Sequence, residues 1–228
     1  MSDRNVPAEA LLALPVFPLS GTLLLPHTFA SLHVFEPRYR AMIADIVDGA
    51  RAFSIALLDD RGEPDEFARP PFHPIAGVGI LRRSARLPDG RYNVLVEGIA
   101  RVDVSDELPP DPRFRYRRAR ARLLADVLPE DPTTLQPLIS ALSALTTHVV
   151  HAMGGDTEIV KRLAELDGSP GKLADTVAEA AIQDTLERQQ YLSELDVKKR
   201  IELASSALGA LYLRSQEEKL NVPKGALS

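Results

Sequence analysis

Through the first half of the chain, apolar positions alternate with polar ones or gather in short blocks; through the second they recur every three to four residues. Residues 12–19 are an apolar run interrupted by Pro15 and Pro18. Proline has no N–H to give a ladder, so this run is expected at a sheet edge or in an irregular strand. Residues 31–35 make a further candidate strand, and Glu36-Pro37 then opens a short helix, proline being tolerated where its missing N–H costs nothing. That helix gathers Tyr39, Met42, Ile43, Ile46 and Val47 on one face and stops at Asp48-Gly49. Residues 53–58 read as an apolar strand and residues 59–74 as a charged, proline-containing loop. Residues 77–86 and 91–104 flank Leu87-Pro88-Asp89-Gly90, a turn sequence that predicts a hairpin. Residues 114–124 supply one more strand, and the set predicts a small barrel or a strongly curved sheet.

The period then changes. Leu135, Leu138, Leu142, Leu145, Val149 and Ala152 form a helical stripe that Gly154-Gly155 ends. Asp156 is placed to cap a short helix with Ile159, Leu163 and Leu166 turned inward. Gly168-Ser169-Pro170 stops that helix and caps the next, which carries Leu173, Val177 and Ala180. Asp184 and Glu187 have capping-box spacing, each side chain satisfying a free N–H at the helix start. A last helix from about Asp196 is expected to bury Val197, Ile201, Ala204, Leu208 and Leu211, and short loops then imply a helical bundle. No repeat of fixed period is present.

Composition sharpens the division. Residues 1–124 hold seventeen Arg, no Lys and sixteen acids, a net +1, whereas residues 125–228 sum to −6 and contain every lysine. With Pro129-Glu130-Asp131-Pro132 just beyond, a boundary near residue 125 is expected, giving a β-domain over 10–125 and a helical domain over 131–220. No run reaches the roughly 18 apolar residues of a membrane span, and the N-terminus lacks the basic-then-apolar order of a secretory signal. There are no cysteines, which removes disulfides, thiolate metal sites and cysteine nucleophiles. The expectation is a cytoplasmic protein that uses no cofactor and no metal.

Candidate chemistry is sparse. His148 and His151 share a predicted helix face, with Asp156 or Glu158 as a third metal ligand, but no His-Glu-x-x-His pattern accompanies them; surface or packing roles fit better. Asp59, Asp60, Glu63, Asp65 and Glu66 read as solvated loop charge, and Ser54, Ser84 and Ser105 lack a nucleophile elbow. Arg113, Arg115, Arg117, Arg118, Arg120 and Arg122 interleave with Phe114 and Tyr116. Arginine beside aromatic rings can hold phosphates and stack on bases. The competing reading is an edge strand whose arginines pair with Asp103, Asp106, Glu107 and Asp111, and the small net charge favours it. Leu23, Leu24, Leu25 and Phe29 form an apolar cluster: exposed, it would bind peptide segments; buried, it would plug one end of the barrel.

Leu14-Pro15-Val16-Phe17-Pro18-Leu19, Leu25-Pro26, and His33-Val34-Phe35-Glu36-Pro37-Arg38-Tyr39-Arg40-Ala41-Met42 together resemble the opening signature of the Lon protease N-terminal domain. Residues 90–102, with Gly98-Ile99-Ala100-Arg101, resemble its second marker. Leu173-Ala174-Asp175, Glu187-Arg188-Gln189-Gln190-Tyr191-Leu192 and Leu195-Asp196-Val197-Lys198-Lys199-Arg200 extend the resemblance to about residue 212. It implies an α+β fold: a PUA-like β-barrel with one short helix, then an α-helical bundle. It also implies binding of unfolded or tagged protein segments, with a separate protease as a partner. Within the motif, Phe35, Glu36, Pro37, Arg38 and Tyr39 are expected to serve structure, Glu36 favouring the helix N-terminus and Arg38 or Tyr39 fastening the helix. The chain carries no P-loop, the nearest string being Gly168-Ser169-Pro170-Gly171-Lys172-Leu173 with the wrong spacing. A non-catalytic stand-alone recognition module is therefore expected. The alternative is an RNA-binding PUA-like protein using residues 113–122, chiefly Arg113, Arg115, Arg117 and Arg118.

Overall fold

A computed structural model describes residues 6–156, 161, 166 and 169–221. The chain divides into two compact units, Met1–Ala125 and Asp126–Ser228. The expected Ile159, Leu163, Glu158 and Gly168 lie outside the described residues.

In the first unit a 3-10 turn, Ala8–Ala13, leads into β1 (Leu14–Leu19), β2 (Phe29–Val34), α1 (Pro37–Ile46), β3 (Ala52–Leu57), β4 (Ile75–Arg86), β5 (Tyr92–Glu107) and β6 (Arg117–Leu124). The strands form one six-stranded sheet in the order β2-β5-β4-β3-β1-β6, and β6 also pairs with β5, so five of the strands are joined in a cycle. The predicted hairpin is β4–β5, with Arg86 opposite Tyr92. Its turn closes through the Gly90 N–H donating to the Leu87 carbonyl at 2.9 Å, with Gly90 at φ +81°, a conformation glycine adopts without steric cost.

Two expectations about edges are corrected. β1 lies inside the sheet, parallel to β3 and antiparallel to β6. Each proline lies in one ladder only: Pro15 is opposite Arg118 of β6, before the β3 ladder begins at Val16, and Pro18 is opposite Ala56 of β3, beyond the β6 ladder, which stops at Val16–Arg117. Nor is β6 an edge, since β1 flanks it on one side and β5 on the other. Among the described strands it is β2 that has a single neighbour, β5.

Tyr39, Met42, Ile43 and Ile46 are buried on the predicted face of α1. They pack with Phe17, Leu24, Phe53, Ile55, Leu81 and Val96 into the main core of the unit. The apolar cluster at Leu23, Leu24 and Leu25 is also buried, at 4%, 1% and 0% exposure. The expected peptide-binding patch is therefore not available there; of its members only Phe29 is exposed, at 58%. The burial has a visible cause on β5. A Cβ on Gly98 would fall 2.1 Å from the Leu25 carbonyl oxygen. Gly98 also exchanges backbone hydrogen bonds of 2.8 Å with His27 and Thr28. The glycine of the Gly-x-x-Arg marker thus lets the leucine loop lie flat on the sheet.

The second unit contains a 3-10 turn, Pro132–Leu135, then α2 (Gln136–Ala152), α3 (Pro170–Ala181), α4 (Thr185–Ser193) and α5 (Val197–Asn221). In α2 the buried stripe is Ile139, Leu142, Thr146 and Val149, rotated from the expected one, with Leu138 and Leu145 half-buried. Thr146 can be buried because its hydroxyl donates to the Leu142 carbonyl at 2.7 Å. In α3, Leu173, Ala174, Val177, Ala178 and Ala181 are buried and Ala180 is exposed, a second correction of phase. Asp184 caps α4 by accepting from the Leu186 and Glu187 N–H groups. Val197, Ile201, Ala204 and Leu208 of α5 are buried as predicted, and Leu211 is half-buried.

Candidate functional site

A groove of about 370 Å3 opens on the first unit. Three stretches build it. Arg38 and Tyr39 come from the first turn of α1, whose start is set by Pro37. Phe67, Ala68, Arg69 and Pro70 come from the loop between β3 and β4. Pro110, Phe114, Arg115, Tyr116 and Arg117 come from the approach to β6. Pro18 and Leu58 complete the apolar floor.

The charged loop expected to be merely solvated is organised by one acid. The Asp65 carboxylate accepts the Phe67 and Arg69 N–H groups, each at 2.9 Å, and the Arg69 guanidinium at 2.7 Å. The hydrogen bond from the Arg69 side chain is the largest cause of its lowered pKa, about 2. Arg69 reaches on to Glu107 at 2.6 Å, and Glu107 also takes Arg117. This ion-paired chain fastens the loop across the sheet and turns Phe67 outward, 51% exposed.

The arginine run is neutralised almost as the structural reading of the sequence expected. Arg122 meets Asp103 at 2.8 Å, Arg120 meets Asp106 at 3.3 Å, Arg117 meets Glu107 at 2.6 Å, and Arg113 and Arg118 share Asp111. The side chains also cover the protein's own rings: Arg118 lies 3.7 Å from the Phe114 ring centre and Arg117 lies 4.2 Å from that of Phe72. The pairing of β5 with β6 shifts register between Asp103 and Asp106, and Ala119 is fully buried. Asp111, held mainly by the side chain of Arg113, has its pKa lowered to about 2. Arg115 differs from its neighbours: it is exposed in the groove, with no hydrogen bond or ion pair among the described residues.

The Phe35–Tyr39 motif splits in two. Tyr39 is buried, its ring centre 4.1 Å from that of Phe17, and burial raises its pKa. Arg38 lies over the outer part of that ring at 4.6 Å and pairs with Glu36 at 2.8 Å. Glu36 makes no side-chain cap bond to the helix, and Phe35 is 61% exposed. Tyr39 therefore fastens α1, whereas Arg38 lines the groove. Beside them Tyr116 donates to Asp45 on α1 at 3.0 Å, and burial together with that bond pushes its pKa up.

Among the described residues no three His, Asp or Glu side chains are grouped to hold a metal. His148 is instead 3.3 Å from the Tyr212 hydroxyl. Ser54 is buried and donates to the Pro15 carbonyl. No described helix is long and apolar enough to cross a membrane.

Sequence reasoning missed a buried cluster in the second unit. Arg200 of α5 is fully buried and meets Asp175 of α3 at 2.8 Å, while the Tyr191 hydroxyl of α4 donates to the same carboxylate at 2.9 Å. Asp126 meets Nη2 of the same guanidinium, whose Nη1 takes Asp175. Burial alone would lower the Arg200 pKa, but the two carboxylates outweigh it and hold it above its usual value. The signal was present: each of the three helical segments with a family resemblance contributes one member.

Comparison with known proteins places these features in a family. The profile of the ATP-dependent protease La (LON) substrate-binding domain matches residues 13–209. The Lon protease of Heliobacterium modesticaldum is 24% identical over 230 residues, covering 97% of this chain and 27% of the relative. Lon protease 2 of Sorangium cellulosum is 26% identical, covering 91% of this chain and 26% of the relative. The chain thus spans about a quarter of the length of these curated relatives. In fold it is similar to the N-terminal domain of the Mycobacterium avium complex Lon protease, with TM-score 0.69, 18% identity, and coverage of 86% of this chain and 98% of that one. A Lon N-terminal domain protein from Xanthomonas campestris gives TM-score 0.57 at 20% identity, covering 83% of this chain and 95% of that one. An α+β fold of this kind, matched by the family profile over most of its length, makes the chain a member of the Lon substrate-binding domain family.

Proposed function

We propose that this chain binds unfolded or tagged protein segments in the cytoplasm and makes or breaks no bond in them, the groove of the β unit being the place of contact. Membership of a substrate-binding family supports the recognition role. The observation that carries the site is Phe67, a large apolar side chain held half in water at the groove by a loop that ion pairs have already ordered. Preordering lowers the entropy lost when a partner docks. The cyclic pairing of β6 with β1 and β5 supports the PUA-like barrel, and α2 to α5 support the helical bundle. Proteolysis itself would belong to a protease partner. Sheet-edge pairing along β2 would extend the contact, since its outer side carries no strand among those described and Phe29 and Phe35 stand exposed at its two ends.

RNA binding fits less well. Arg113, Arg117 and Arg118 already hold acids and aromatic rings of the chain itself, and the whole chain carries −5.

The test is binding of a fluorescent, reduced and carboxymethylated unfolded protein to wild type and to Phe67→Ala. Loss of one half-exposed aromatic anchor should weaken binding about tenfold while leaving the unfolding midpoint unchanged. Equal binding by the two proteins would remove the groove from the reading.

A further inference from the structure

The groove's charge is uneven in a way that specifies its occupant. Of the four arginines lining it, three are matched by the chain's own acids: Arg38 by Glu36, Arg69 by Asp65 and Glu107, and Arg117 by Glu107. The fourth, Arg115, is exposed and has no acidic partner among the described residues. Among the described residues no carboxylate lines the groove. One uncompensated guanidinium beside aromatic rings suits a ligand bearing a single negative charge and an apolar body. A polyanion would need several unmatched cations in a row. The volume, about 370 Å3, stands at the lower end of the roughly 300–1,000 Å3 of small-ligand sites. It is enough for one or two residues of a polypeptide and for no larger body.

We infer that the groove binds the C-terminal end of an unfolded polypeptide, its carboxylate paired with Arg115 and its terminal apolar side chain against Phe67 and Phe114. The inference rests on the peptide-binding reading above and names what that site selects. A planar guanidinium offers two parallel donors to a carboxylate. Nearby, Arg118 covers the Phe114 ring at 3.7 Å.

The experiment uses three short glycine-serine peptides labelled with fluorescein at the N-terminus, followed by fluorescence anisotropy. One ends in Leu-Phe with a free carboxylate, one in Leu-Phe-amide, and one carries an internal Asp before an amidated Leu-Phe. Wild type should bind the free acid about tenfold tighter than the amide, the size expected for a charge-assisted pair. Arg115→Ala should bring the free acid to the level of the amide and leave the amide unchanged. Arg122→Ala, an equal loss of charge outside the groove, should alter neither. Free acid and amide binding alike to wild type would overturn the inference; if Phe67→Ala then weakened both, the peptide-binding reading would survive it. The internal-Asp peptide matching the free acid would also overturn it, by making a side-chain carboxylate sufficient. Arg115-dependent displacement by a uridine oligonucleotide would replace it with RNA binding. If neither amidated nor free peptide bound, both readings would fall.

Discussion

Arg200 in the helical unit has no exposed surface and meets an acid that is itself buried, whereas Arg120 and Arg122 on β6 keep 63% and 73% of their side-chain surface in water beside Asp106 and Asp103. Both arrangements neutralise a guanidinium, but the physics differs. Removing Arg200 and Asp175 from water costs several kcal/mol per ion, offset only because the carboxylate also accepts the Tyr191 hydroxyl and Asp126 adds a second negative charge. Such a pair tolerates one geometry, and it ties α3, α4 and α5 to that geometry. The Arg120 and Arg122 side chains are desolvated little, so their pairs can be rearranged at small cost. An exposed strand can keep its cations in water; a packed helical interior cannot.

The sharpest way to break the comparison is Asp175→Ala. It leaves Arg200 buried with its main partner gone, and chemical denaturation should show a loss of about 3–5 kcal/mol. Replacing both partners by apolar residues, Asp175→Leu with Arg200→Met, should recover most of that loss. A small effect of the single change would mean that Asp126 alone suffices for Arg200.

Gly98→Ala comes next. Its new Cβ would meet a backbone oxygen at 2.1 Å, so the leucine loop must lift from the sheet. Overpacking of this kind costs about 1–3 kcal/mol, read as a lowered denaturation midpoint. Wild-type stability would show that the loop moves freely and that Leu23, Leu24 and Leu25 are only loosely held.

These two sites also show what could be read from the residues beforehand. The hairpin at residues 86–92, the buried face of α1 and the inward positions of α5 were legible because local period and turn chemistry set them. The place of β1 was not, since it depends on a parallel partner that follows it by more than thirty residues, and prolines argue against an interior strand unless the ladder is known to be short. The phase of α2 slipped because Thr146 satisfies its own hydroxyl and so passes as an inward residue. For the groove, the arginine-acid pairing could be foreseen from neighbouring charges in sequence. The exposure of Phe67 could not, because it follows from how the loop folds back through Asp65 and Glu107.

Arg122→Ala tests the exposed side of the comparison. Its partner Asp103 is held below the usual carboxylate range chiefly by the Ser105 side chain and backbone, with Arg122 a lesser cause. The change should therefore cost less than about 1 kcal/mol, and added salt should shrink the difference further. A loss near that of Asp175→Ala would mean that exposure does not set the worth of these pairs.

The smallest effect expected is local, at Asp65. Carbon-13 NMR of its side-chain carboxyl should give a midpoint of about 2 in the folded protein, against roughly 3.9 for an unperturbed aspartate. Because the folded value is the lower one, whatever the carboxylate adds to stability is present above the unfolded pKa and is lost as pH falls toward the folded pKa. Protonation would first release the Arg69 guanidinium, then the Phe67 and Arg69 N–H groups that share the same carboxylate. The chemical shift of Phe67 should therefore follow the same midpoint while the core resonances stay still. A midpoint near the unperturbed value would mean that the loop carrying Phe67 is not held by Arg69. The ordered groove wall would then be lost from the β unit, and with it the support for the proposed docking site, while the buried Arg200 cluster of the helical unit remained as it is.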